Sequence, residues 1–130
     1  MNIKVVYFSK FGRTKQVAEA IARGANSVAE GVLEAKEIVD PVDVLFLGGA
    51  PYANIMAPEL RDYAEKLDAS KIKKVVLFTT AAWSRRTVIS LKSILKGKGI
   101  EVENDFFYAQ SHHIEEAIQD AEAFGKKYSE

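Results

Sequence analysis

Two hydrophobic periods alternate along this chain. Continuous apolar runs at Ile3–Phe8, Val44–Leu47 and Val75–Phe78, with weaker runs at Val32–Ile38 and Val102–Tyr108, predict five strands. The valine- and leucine-rich runs carry no polar alternation, the pattern of parallel strands covered on both faces. Between the runs the period lengthens to that of a helix. Val17, Ile21, Ala25 and Val28 share one helical face, as do Leu60, Tyr63, Ala64 and Leu67. The same spacing recurs at Val88, Leu91 and Leu95, and at Ile114, Ala117, Ile118, Ala121 and Phe124. Pro58 suits the first turn of the second helix, and Ser84 is placed to cap the third. Strand–helix alternation of this kind implies an open parallel sheet with helices on both faces. Such sheets bind ligands outside the carboxyl ends of their strands, where the strand order reverses.

One junction departs from the pattern. Only a few residues around Val39-Asp40-Pro41-Val42 separate the second predicted strand from the third. A parallel crossover ordinarily takes a helix. A short second strand followed by an extended crossover without a helix is therefore expected.

Composition narrows the class. The 130 residues, 48% hydrophobic and 28% charged, are read as one domain, residues 1–130. The absence of cysteine excludes disulfides, a thiol nucleophile and thiolate metal sites. The first apolar run is too short for a signal peptide or a membrane span, so a cytoplasmic protein is expected. Eighteen basic and eighteen acidic residues cancel, which argues against a dedicated nucleic-acid binder. The cancellation hides a segregation. Residues 1–100 carry 16 basic and 10 acidic groups, and residues 101–130 carry 2 basic and 8 acidic. Between Lys71 and Lys98 there are eight basic side chains and no acid. Its aromatic interleaving is limited to Phe78 and Trp83, and nucleic-acid binding there is a weak alternative.

Three loops at predicted strand ends could carry chemistry. The first, Ser9-Lys10-Phe11-Gly12-Arg13-Thr14, leads into a helix whose free amides and dipole favour an anion such as phosphate. It is neither a Walker loop nor a Gly-x-Gly-x-x-Gly loop, and its residues also serve as ordinary turn and capping residues. The second contains Gly49-Ala50-Pro51-Tyr52-Ala53-Asn54, and the third Thr79-Thr80-Ala81-Ala82-Trp83-Ser84. Each sets one aromatic ring among small residues. Tyr52 and Trp83 could sandwich a flat ring system, or each could simply cover the end of the core. His112-His113 with Glu115 and Glu116 lacks a second ligand cluster, so no metal site is expected, although His112 lies on a loop that could affect access. No Gly-x-Ser-x-Gly elbow is present, and Leu47-Gly48-Gly49 stands where a phospho-acceptor aspartate would be needed.

With these three loops in order, the chain resembles a short, atypical flavodoxin over nearly its whole length. Ser9, Gly12 and Thr14 match the phosphate loop of that family, while Phe11 replaces a hydroxyl residue; Ala123-Phe124-Gly125-Lys126-Lys127 is similar to its C-terminal helix. The resemblance implies a doubly wound three-layer α/β sandwich with five parallel strands in order 2-1-3-4-5, here with no helix between strands 2 and 3. It implies non-covalently bound FMN. Ser9, Gly12, Arg13 and Thr14 would hold the phosphate, with Lys10 and Phe11 in the same cofactor-binding loop. Tyr52 and Trp83 would contact the ring faces, backbone at Ala53, Asn54, Thr80 and Ala81 would bond its polar edge, and Pro51, Thr79 and Ala82 complete the cofactor-binding residues. The protein would then carry electrons between redox enzymes, with no catalytic residue of its own, as a monomer or homodimer.

Two departures modify that expectation. Ala53 stands where the family often has a glycine, which implies weaker stabilisation of the one-electron-reduced flavin. Typical flavodoxins are strongly acidic, whereas here Lys10 and Arg13 stand in the first loop and Arg85 and Arg86 follow the third, which implies a less reducing FMN. The alternatives are an FMN-dependent oxidoreductase taking hydride from a nicotinamide nucleotide and reducing a quinone-type acceptor, and a flavin-free interaction module on the same fold.

Overall fold

A computed structural model describes residues 1–130. Five strands form one parallel sheet: β1 (Ile3–Tyr7), β2 (Ala29–Gly31), β3 (Val44–Gly49), β6 (Val75–Ala81) and β7 (Val102–Gln110). Their spatial order is β2-β1-β3-β6-β7. A small antiparallel hairpin, β4 (Pro51–Tyr52) and β5 (Ile55–Met56), follows β3 outside the main sheet. With the hairpin set aside, the order is the expected 2-1-3-4-5. Four helices complete the layers: α1 (Arg13–Gly24), α2 (Pro58–Lys66), α3 (Arg86–Gly97) and α4 (Ile114–Lys127).

Alternation along the buried strands builds two cores. Leu45 and Leu47 face one side with Val75 and Leu77, against Leu60 and Ala64 of α2 and Val88, Leu91 and Leu95 of α3. Phe46, Val76 and Phe78 face the other side with Val5, against Val17 and Ile21 of α1 and Ala121 and Phe124 of α4. Every residue of β3 and β6 is buried. That accounts for their unbroken apolar runs.

Three expectations are corrected at element ends. The run Val32–Ile38 is not the second strand; β2 is Ala29–Gly31. Gly31 pairs with Tyr7, the last residue of β1, so a longer strand would have no neighbour to bond. Val32 still donates its amide to the Tyr7 carbonyl, and the chain then turns back on the Gly31 carbonyl through the amides of Glu34 and Ala35. Val32, Ala35 and Ile38 instead pack against the core that α2 and α3 cover, and no helix lies between β2 and β3. The short strand and helix-free crossover are therefore as expected, while the apolar run that was read as a strand serves as the lid. Val28 does not belong to the α1 face either: the helix ends at Gly24, Asn26 reverses the chain with φ 56°, and Val28 is exposed. Ser84 lies one residue upstream of the α3 cap, which is Arg85, and its Oγ still accepts the Arg86 amide at 3.1 Å.

No helix is long and apolar enough to cross a membrane.

Candidate functional site

The loops after β1, β3, β6 and β7 all leave the carboxyl edge of the sheet, and they enclose a cleft of about 310 Å³. It sits at the ends of the neighbouring strands β1 and β3, where the chain runs from β1 to β2 on one side and from β3 to β6 on the other, the place open α/β sheets reserve for ligands. Its size falls at the lower end of the roughly 300–1,000 Å³ usual for cofactor and ligand sites.

Side chains brace the loops to one another. Thr14 and Thr80 share a buried hydroxyl–hydroxyl bond of 2.7 Å, and Thr79 Oγ1 donates to the Gly49 carbonyl at 2.7 Å. The Tyr52 hydroxyl accepts the Lys10 amide at 2.9 Å, and Ser84 Oγ donates to Asn54 Oδ1 at 2.6 Å. Tyr108 and Gln110 of β7 bond the carbonyls of Ala81 and Ala82. The cleft is thus built on fixed loops.

One end of the cleft is rich in donors. Gly12 adopts φ 90° and turns the first loop into α1, its amide held by Ser9 Oγ at 2.9 Å. The amides of Phe11, Arg13, Thr14 and Lys15 donate to no protein acceptor, as expected at a helix start. No acidic residue stands in the first turn of α1, and none lines the cleft, whereas Arg13 does. Free amides, the helix dipole and one guanidinium make this end suited to an anion.

The cleft also presents aromatic surface. Phe11 and Trp83, both cleft-lining, are each 75% exposed. Tyr52 is more confined: its ring meets Phe8 and Phe11 in edge contacts, and the Lys10 ammonium lies 4.6 Å from its centroid. Burial pushes the Tyr52 hydroxyl above the ordinary phenol range, with the bond from the Lys10 amide opposing and the nearby Glu59 adding to the rise. It is a neutral latch between the first loop and the hairpin. Open stacking surface falls to Trp83 and Phe11.

The hairpin turn is strained. Ala53 and Asn54 have φ 51° and 59°, the two positive values a two-residue turn of this kind requires. Asparagine tolerates that region; alanine is penalised there.

Of the fifteen sequence-predicted site residues, Ser9, Phe11, Arg13, Thr14, Pro51, Tyr52, Asn54, Thr80, Ala81, Ala82 and Trp83 line the cleft. Lys10, Gly12, Ala53 and Thr79 do not; they shape the loops that do. The placement of Arg85 and Arg86 beside the cleft is corrected. Arg85 stacks on Tyr108 of β7, 4.5 Å from its ring centroid, and Arg86 lines a separate hollow behind the hairpin. The basic group at the cleft is Arg13. Ala50, Ser84, Ser111 and His112 also line it, and Ser111 was not singled out from the sequence. Its signal was positional: it is the first residue after the fifth strand of the sheet. No group of three or more histidine or carboxylate side chains is placed to hold a metal ion.

Solved structures share this architecture. A flavodoxin from the domain Archaea superposes with a TM-score of 0.84 at 19% identity, covering 99% of this chain and 96% of its own. The fold is flavodoxin-like. A WrbA-like flavodoxin from Agrobacterium tumefaciens aligns at TM-score 0.78 and 22% identity, over 98% of this chain and 94% of its own. The flavodiiron protein from Giardia intestinalis aligns at 0.80 and 19% identity, over 98% of this chain but 35% of its own length. No protein-family model and no curated protein matches the chain. At these identities the flavodoxin-like likeness is one of fold.

Proposed function

We propose that the chain is an FMN-binding electron-transfer protein that passes electrons between redox enzymes. The reading is carried by one observation: a single cleft with unpartnered amides and Arg13 at one end and the exposed rings of Phe11 and Trp83 beside it. A phosphate-bearing, flat aromatic cofactor matches both features. The amides of Phe11, Arg13, Thr14 and Lys15, with the Arg13 side chain, would hold the phosphate. Ser9 supports that loop by bonding Gly12, and the buried Thr14 hydroxyl braces it against Thr80. Trp83 and Phe11 would cover the ring, and backbone groups at Ala53, Asn54, Thr80 and Ala81 would meet its polar edge. FMN, when bound, supplies one- and two-electron chemistry; the protein sets its potential and access.

Arg13, rather than Arg85 or Arg86, would be the charge that favours an anionic reduced cofactor. The same acid-free cleft favours a second reading, an oxidoreductase fed directly by an anionic nicotinamide nucleotide. The protein is read as cytoplasmic.

The test begins with flavin fluorescence. FMN titrated into apo-protein is quenched on binding, and Trp83→Ala weakens its affinity by roughly tenfold, the order of one lost stacking partner. Unquenched FMN with folded wild-type protein leaves only an interaction module. Anaerobic mixing of loaded protein with NADPH then separates the redox readings: a carrier keeps its flavin absorbance until a reductase is added, whereas an oxidoreductase bleaches at once.

A further inference from the structure

Beside the cleft, on the far side of the hairpin, lies a second hollow of about 380 Å³. Asn54 lines both, so the two are separated by a single turn. Ile55, Arg61, Arg86 and Ser90 complete the hollow's functional lining, and no carboxylate contributes to it. Neither Arg61 nor Arg86 forms an ion pair. Glu59 and Asp62, which share α2 with Arg61, instead line the groove beneath the β2–β3 crossover.

Apolar side chains are exposed at this hollow and along the helix that borders it. Ile55 is 63% exposed and Ile89, on the outer face of α3, is 61% exposed. Trp83 stands on the loop that leads into the same helix. Arg86, Ile89, Ser93 and Lys96 recur at helical spacing along α3, which contains no acidic residue. Exposed aliphatic and aromatic residues bordered by unpaired arginines have the composition of an interface centre, and isolated solvated charges would not gather them.

Resting on the redox reading above, we infer that the Arg61–Arg86 face is the docking surface for a redox partner protein whose contact region is acidic. Charge complementarity selects the partner's sign, since a basic surface of one sign attracts and orients an acidic one before contact. The isoleucines select a protein over a nucleic acid. Aliphatic side chains give bases no stacking platform, and no aromatic ring lines the hollow. The position brings the partner to the rim of the cleft, across the Ala53–Asn54 turn. The chain as a whole is neutral, so the preference belongs to this face and not to the net charge.

The experiment uses one electron acceptor in two charge forms: native cytochrome c, which is basic, and the same protein succinylated, which is acidic. Reduced FMN-loaded protein should transfer electrons to the succinylated form about tenfold faster than to the native form at low ionic strength, and the advantage should vanish at high salt. Arg61→Glu/Arg86→Glu should abolish it. Lys36→Glu/Lys126→Glu, an equal charge change away from the hollow, should retain most of it. Apo-protein supplies a readout independent of flavin: adding succinylated cytochrome c should broaden the amide resonances of Ile55, Arg86 and Ile89 in wild type and leave them sharp in the arginine variant. FMN titration of each variant shows separately whether the cofactor reading holds. A faster reaction with native cytochrome c overturns the inference. So does equal loss in both double variants, or apo-protein resonances that shift with a single-stranded oligonucleotide and not with the acidic protein.

Discussion

At the scale of single residues, two positions hold conformations or groups that cost stability. Ala53 occupies the left-handed region, where a Cβ is penalised by on the order of 1 kcal/mol or more. Glycine there is free of that penalty but loses more entropy on folding. Ala53→Gly should therefore stabilise by up to about 1 kcal/mol, read as a higher melting temperature; a lower one would show that the alanine methyl makes a contact worth more than the strain. Thr87 is fully buried in the first turn of α3, and its hydroxyl has no hydrogen-bond partner. Valine keeps the shape and removes the orphan, so Thr87→Val should raise the unfolding free energy by about 1 kcal/mol in a denaturant titration. A loss of similar size would place a water on that hydroxyl. The cost of alanine at position 53 was legible in the sequence. The orphan was not, because nothing in a helical threonine tells which way its hydroxyl faces.

At the scale of elements, the decisive contact joins the first helix to the last. A Cβ at Gly24 would strike the Glu122 backbone, and one at Gly125 would strike the Ile21 carbonyl. The two helices thus meet backbone to backbone, with Arg23 and Glu122 paired at 3.2 Å beside the contact. A methyl cannot enter without forcing the helices apart. Gly125→Ala should cost about 1–3 kcal/mol in chemical denaturation, although alanine is the better helix former, because overpacking outweighs propensity here. An unchanged midpoint would mean that the helices separate freely. β7 carries a second irregularity. Between the pairs Val75–Val102 and Leu77–Phe106 it spends two extra residues, where Glu103 meets Lys74 at 3.2 Å. A bulged, charged edge strand resists pairing with another chain.

At the scale of the molecule, the helix-free crossover leaves its mark. Where a helix would cover the sheet between β2 and β3, a groove of about 440 Å³ remains, lined by Val32, Ala35, Ile38 and Tyr63 among others. Burial pushes the Tyr63 phenol up to about 12, and Glu30 nearby adds to the rise. In the unfolded chain the same phenol ionises near its ordinary value of 10.0. Below pH 10 it is neutral in both states and leaves stability unaffected. As pH climbs from 10 towards 12 the unfolded chain releases the proton first, and the fold loses stability. Tyr63→Phe should flatten that decline in denaturation midpoints measured across the interval. Identical slopes would assign the alkaline loss to the other raised phenols: Tyr7, Tyr52, and Tyr128, which is also raised to about 12, by its own desolvation and then by its bond to Asp105.

The sequence by itself determined the alternation of strands and helices and the loops that border the cleft; the strand order followed from the family resemblance that those loops carry. Period and run length report burial directly, and a missing crossover helix is a matter of counting residues between strands. It also set the arithmetic of charge: neutral in total, basic before residue 100 and acidic after. Only the tertiary structure decided where that charge faces. Arg85 and Arg86 are neighbours in the chain, yet one lies on Tyr108 and the other lines the hollow behind the hairpin, because α3 begins between them: Arg85 is its cap, with non-helical backbone, and Arg86 is its first helical residue. The run Val32–Ile38 is apolar whether it forms a strand or a lid, and the length of β1 chose between them. Tyr52 likewise reads as a free ring in the sequence. Folding places Lys10, Phe8 and Phe11 around it and leaves Phe11 and Trp83 as the open rings, since which aromatic faces stay exposed depends on contacts between loops far apart in the chain.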